Sequence, residues 1–194
     1  MNAHSHKHKH GKMKGVHTGT TAFSIFAKEV PIPKIGNQTD AIIRPTSAGI
    51  CGSDLHILHG RIKITEPLTL GHEIIGIVEE IGDLVHDVKK GDRVLVTSLL
   101  SEEIDDKISV DLGVLGYLFG TAFNGGQAEL VRVPFASDNC LVLPPGTEHE
   151  LDYVALSDIF CTANWALDAV GSSLPTWLLS LVLVRKSQPH DLVE

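Results

Sequence analysis

Apolar positions between residues 13 and 145 recur every second residue or in short unbroken runs, a pattern that predicts strands rather than helices. Val16, Thr18, Thr20, Thr21, Phe23, Ile25 and Phe26 make residues 15–30 rich in β-formers, and Pro31 and Pro33 end the run. Residues 40–50 hold a second strand centred on Ile42 and Ile43, with Pro45 demanding a bulge or an edge position. Residues 71–82, with Ile74, Ile75, Ile77, Val78 and Ile81, read as a mostly buried strand in which Gly76 permits close approach of another backbone. Gly91-Asp92 turns the chain into a strand over 93–96. Alternation of Ala128, Leu130, Val131 and Val133 with polar residues predicts a strand over 126–133, ended by Pro134, and 140–143 form a last short one. From residue 150 the spacing becomes helical, with Leu151, Val154 and Ala155 on one face and then Phe160, Ala163 and Leu167 on another. About 130 residues of β structure followed by helix predict a mainly β fold, a partly open barrel or sandwich with peripheral helices.

Composition narrows the function. The chain has 194 residues, 43% hydrophobic and 21% charged, as expected of a globular chain with one good core. Its net charge of −8 is uneven: the first fourteen residues hold four lysines and no acid, and the remainder is strongly acidic. An acidic body argues against a nucleic-acid surface. Three scattered cysteines make no disulfide framework and fit a reducing, cytoplasmic setting. The N-terminus has no signal-peptide run, and the apolar stretch 174–184 is shorter than the roughly 20 residues that span a bilayer, so no membrane partner is expected. His4, His6, His8 and His10 alternate within residues 1–12, which read either as a disordered tail or tag remnant or, if extended, as a metal-chelating edge.

The chemistry concentrates between Cys51 and Glu73. Cys51-Gly52-Ser53-Asp54-Leu55-His56 is followed, after a loop, by Gly71-His72-Glu73. Thiolate and imidazole are the ligand types that zinc prefers. Together with Gly91-Asp92-Arg93-Val94 and Gly125-Gly126-Gln127-Ala128-Glu129, in that order, these motifs resemble the zinc-dependent medium-chain alcohol and polyol dehydrogenases. The resemblance covers roughly residues 13–170. It implies a GroES-like β fold and a reaction in which hydride passes between an alcohol or aldehyde and NAD or NADP.

The resemblance also implies roles. Cys51 and His72 are two metal ligands, and the third is Asp158, as in the formaldehyde and polyol dehydrogenase branch. Asp158 is equally a favoured N-cap residue. Cys161, three residues on, should face elsewhere on its helix. Glu73 is either a transient ligand approaching from behind or a support for His72. Ser53 and His56 form a proton relay, since a hydroxyl cannot hold a proton and an imidazole exchanges one near neutrality; otherwise His56 is a surface histidine. Asp54 orients neighbouring ligands. Thr162 touches the nicotinamide.

Two departures from the family pattern are evident. Many relatives carry four close cysteines that hold a structural zinc; residues 97–120 have none here, offering Glu102, Glu103, Asp105 and Asp106 on what reads as a flexible loop. One catalytic zinc and no structural zinc are therefore expected. Nor does the chain contain Gly-x-Gly-x-x-Gly, the turn that cradles a dinucleotide pyrophosphate. The expected organisation is a tail over 1–12, a catalytic domain over 13–150, a helical segment over 151–170 leading towards a Rossmann domain that is absent, and an atypical end over 171–194. Three functions follow: the catalytic portion of a zinc- and NAD(P)-dependent dehydrogenase, homo-oligomeric when intact; a zinc-binding fragment without redox activity; or a non-enzymatic GroES-like oligomerising module.

Overall fold

The computed structural model describes residues 11–104, 108–116 and 123–169. Lys12–Thr18 (β1) and Ile25–Pro31 (β2) pair as an antiparallel hairpin. Ala41–Ala48 (β3), Gly52–Leu58 (α1), Ile74–Ile81 (β4) and Arg93–Val96 (β5) follow. Leu99–Ile104 (β6) and Ile108–Val114 (β7) form a second hairpin. Val131–Val133 (β8), Ala136–Asn139 (α2) and Cys140–Val142 (β9) precede Glu150–Val154 (α3), a 3-10 turn over Ala155–Ser157, and Ile159–Ala169 (α4). Five strands make one antiparallel sheet in the order β8-β3-β4-β5-β9. Among the described residues the sheets stay open and none closes into a barrel, so the fold is the expected mainly β architecture with peripheral helices.

The central strands carry unbroken apolar runs where both of their faces are covered. Successive strand residues point to opposite sides. Ile74, Val78, Val94 and Val96 pack with Ile43, Leu100, Leu115, Val131 and Val133 on one face. Ile75 and Leu95 pack with Leu143 on the other, under Tyr153, Val154 and Leu156. Pro45 sits at a register shift between Pro45 and Ser47, a bulge, and lies past the Ala41–Ile43 stretch that pairs with β8, so that side of the strand is unpaired there. A Cβ on Gly76 would lie 2.5 Å from the Arg44 carbonyl oxygen, the close approach its position suggested.

Several sequence expectations need correction. The segment after Cys51 is a helix that periodicity did not predict, α1 over Gly52–Leu58. The 97–120 segment is not a flexible loop where it is described: most of it is the β6–β7 hairpin, held by the buried Asn139 side chain, which bonds both Ser101 N (2.9 Å) and Ser101 O (2.7 Å). The strand expected over 126–133 shrinks to β8, because Gly126 and Gln127 instead donate backbone hydrogen bonds to Gly71 and Leu70. Leu151 is 80% exposed while Val154 packs partly buried on the core, so the two do not share the inward face. The α3 helix lasts only five residues and tightens into a 3-10 turn, so the partly buried residues that pack on the core are Tyr153, Val154 and Leu156. On α4, Ala163 is buried while Phe160 is partly exposed, and the side chain of Leu167 lies outside the described residues. The strand β1 starts at Lys12, inside the stretch read as tail; residues 1–10 and the run 174–184 lie outside the described residues.

Arg93 of the Gly91-Asp92-Arg93-Val94 motif ties α3 to the sheet. It is buried and donates to the carbonyl oxygens of Glu148 (3.2 Å) and Pro144 (3.4 Å), pairs with the Glu150 carboxylate, and lies over the Tyr153 ring. Burial works to raise the Glu150 pKa, but hydrogen bonds from Thr46, Arg93 and Ser47 outweigh it and hold the carboxyl below its ordinary value. A carboxylate depressed in the folded state contributes stability above its unfolded pKa and loses it as pH falls through the folded one. Wild type is therefore expected to exceed Glu150→Gln in stability at neutral pH, with the difference closing below about pH 4. Urea unfolding at a series of pH values checks this, and parallel profiles would contradict it.

Candidate metal centre

Cys51, His72 and Asp158 meet although 107 residues separate the first from the last. Cys51 precedes α1, whose first turn is capped reciprocally: Asp54 Oδ2 accepts from the Cys51 amide (2.8 Å), and Asp54 N donates to Cys51 O (3.1 Å). His72 follows Gly71, which adopts φ 102°, a conformation that disfavours side chains. The chain around it is clamped by backbone bonds from Gly125 to Thr69 and from Gln127 to Leu70, both within 2.9 Å. Asp158 stands where the 3-10 turn passes into α4, and its carbonyl accepts from Thr162 N (3.1 Å). Its Oδ2 faces Cys51 and His72 while its Oδ1 lies 3.4 Å from Thr162 Oγ1, so the residue stands at the head of α4 and joins the cluster as well.

The donors are arranged for a small divalent cation. One ligand atom from each residue falls within 4.8 Å of the others. Asp158 Oδ2 lies 3.5 Å from His72 Nε2 and 3.5 Å from Cys51 Sγ. Ordinary zinc bond lengths in a tetrahedron would set these edges at about 3.4 and 3.6 Å. Thiolate, imidazole and carboxylate are also a donor set that zinc accepts, so the residues fit the ion. Burial disfavours a charged His72, yet hydrogen bonds with Asp158 and Cys51 and the charge of Asp54 outweigh it and push its pKa up to about 10. The pocket is thus built to hold positive charge.

A family model described as the alcohol dehydrogenase GroES-like domain matches residues 37–145. The chain belongs to this family. An uncharacterized zinc-type alcohol dehydrogenase-like protein of Bacillus subtilis is 38% identical over 167 residues, covering 76% of this chain and 44% of the relative. A glutathione-independent formaldehyde dehydrogenase of Pseudomonas aeruginosa is 38% identical over 157 residues, 70% of this chain and 39% of its own length. Among solved structures, the alcohol dehydrogenase from Thermus sp. ATN1 superposes with a TM-score of 0.70 at 34% identity, over 81% of this chain and 47% of that one. The chain spans less than half the length of these three relatives.

Around the cluster, the GroES-like domain places the other residues singled out by sequence in distinct settings. Ser53 Oγ lies 3.2 Å from His72 Nε2, beside the donors. His56 is one helical turn further along α1 and exposed. Glu73 is buried but stands outside the three-donor group; its carbonyl accepts from Gly49 N (2.8 Å), and its carboxylate packs where a Cβ on Gly49 would be. Thr162 Oγ1 donates to Asp158 O at 3.1 Å. Cys161 is also outside the donor group, but it lines the same cleft as His72 and Asp158, against the expectation that it faces elsewhere.

Sequence reading missed one support of the site. Gln127 Nε2 donates to Gly49 O (3.1 Å) and lies 3.5 Å from Asp54 Oδ2, so the Gly125-Gly126-Gln127 segment braces both strand and helix around Cys51. The only signal was the motif itself, and its spacing says nothing about contact. Asp54 is buried beneath His72, with Oδ1 3.9 Å from His72 Nδ1. A carboxylate behind a metal-binding imidazole fixes the ring and raises its basicity. Asp54→Ala is expected to weaken zinc binding about 10- to 100-fold, measured by chelator competition on protein lacking residues 1–10. Unchanged affinity would show that Asp54 serves only to cap α1.

Proposed function

We propose that this chain is the catalytic-domain portion of a cytoplasmic, zinc-dependent, NAD(P)-linked alcohol or aldehyde dehydrogenase, with one catalytic zinc on Cys51, His72 and Asp158. The observation that supports this most is the three-donor cluster, with Cys51 and His72 buried and Asp158 partly so, opening onto a cleft of about 570 Å³ that Ser53 and Thr162 also line. Zinc held there supplies a Lewis acid that polarises the substrate oxygen. A substrate oxygen near His72 falls within reach of the Ser53 hydroxyl, which accepts its proton. His56, one turn away and exposed, takes the proton on towards solvent. Glu73 supports His72 from the buried side. Thr162, on the first turns of α4, meets the nicotinamide, with residues 151–170 leading towards the cofactor-binding region. In this reading residues 13–150 form the catalytic unit, and the intact enzyme is a homo-oligomer.

One observation favours a second reading, a zinc-binding fragment without redox activity: no Gly-x-Gly-x-x-Gly occurs in the sequence. The zinc-loaded chain, assayed for alcohol-dependent reduction of NAD and NADP, separates the two. Reduction that is lost in Ser53→Ala supports the dehydrogenase. One zinc per chain with no nucleotide binding supports the fragment. A non-catalytic oligomerising module would bind no zinc at these three residues.

A further inference from the structure

Apolar side chains line much of the cleft beside the donor cluster. Leu99, Val114 and Leu156 give it apolar surface. Apart from the donors themselves, none of the described lining residues carries a charge. Of the polar side chains that line it, Ser53 lies beside His72, Ser98 contributes a hydroxyl, and Thr97, Ser157, Thr162 and Cys161 donate back into the protein. Thr97 Oγ1 donates to Asn139, Thr162 Oγ1 to Asp158 O at 3.1 Å, and Cys161 Sγ to Leu156 O at 3.1 Å. Each of these groups already uses its one donor hydrogen.

From this we infer that the cleft selects small alcohols or aldehydes with one oxygen function and an apolar chain, and disfavours polyols and sugar phosphates. The inference rests on the proposed dehydrogenase site. A first oxygen meets the cluster and Ser53. A second or third hydroxyl on the same carbon chain would lie against Leu99, Val114 or Leu156 and lose water without replacement, which is unfavourable for each group so buried. A phosphate would enter with no cation to meet it other than the donor cluster. An alkyl chain instead gains by leaving water against the same three side chains.

The test uses the full chain loaded with Co2+, whose thiolate charge-transfer band reports the ion at Cys51 and not at the histidine-rich N-terminus. Titration with 1-butanol and with 1,2,4-butanetriol compares the same carbon skeleton with one hydroxyl and with three. At least tenfold tighter perturbation of the cobalt spectrum by 1-butanol is expected. Leu99→Gln, at a partly exposed position that tolerates a polar side chain, should narrow the ratio at least threefold. Equal affinities, a preference for the triol, or no response to either alcohol overturns the inference while leaving the metal centre intact. Failure to develop the thiolate band is a different result: it removes the metal-centre reading itself, and the inference with it.

Discussion

Cys51→Ser and His72→Ala are each expected to lower zinc affinity on the order of a thousandfold. Zinc bound by a folded protein site releases about 10–16 kcal/mol, so an even share among three ligands is about 3–5 kcal/mol each. A serine hydroxyl is a poor substitute for thiolate because it stays protonated, and alanine offers nothing. The loss should be sharper than for a surface chelate, since Cys51 and His72 are both buried and water has little access to fill the gap. Chelator competition and elemental analysis on protein lacking residues 1–10 measure it. Undiminished stoichiometry in both variants would place the metal elsewhere.

Asn139→Ala should cost about 4 kcal/mol of stability, through polar groups left without partners. Asn139 is fully buried. Its Nδ2 donates to Ser101 O (2.7 Å), Pro134 O (3.0 Å) and Phe135 O (3.1 Å), while its Oδ1 accepts from Ser101 N (2.9 Å) and Thr97 Oγ1 (3.2 Å). One side chain therefore acts as a neighbouring strand for β6 and as the link from β5 to α2. Urea unfolding gives the stability, and amide exchange at Ser101 should quicken well beyond the global change. A cost under about 1 kcal/mol would mean that water replaces the side chain easily. Because β6 and Thr97 border the proposed substrate cleft, partial loosening there should also weaken alcohol selection.

Much of this protein is legible from sequence because local chemistry dictates it. Unbroken apolar runs such as Ile74-Ile75 and Val94-Leu95-Val96 require strands covered on two faces, and that is what they form. Pro45 forces a bulge because it lacks an N–H, and Gly76 marks a close backbone approach because a Cβ there would clash. Cysteine, histidine and aspartate in the family's order name the donors of the site. Their meeting does not follow from spacing, since Cys51 and Asp158 are 107 positions apart in the chain. Tertiary structure decided it, by clamping the His72 segment against residues 125–127 and by seating Asp158 between a 3-10 turn and α4. It also decided what periodicity misassigned. Asn139 converts a charged, loop-like stretch into the β6–β7 hairpin, and a change of helical pitch turns Leu151 outward. Hydrogen bonds between residues far apart in the chain leave no periodic trace in either partner's surroundings, so the supporting roles of Gln127 and Asn139 become readable only once the sheet has brought their partners together.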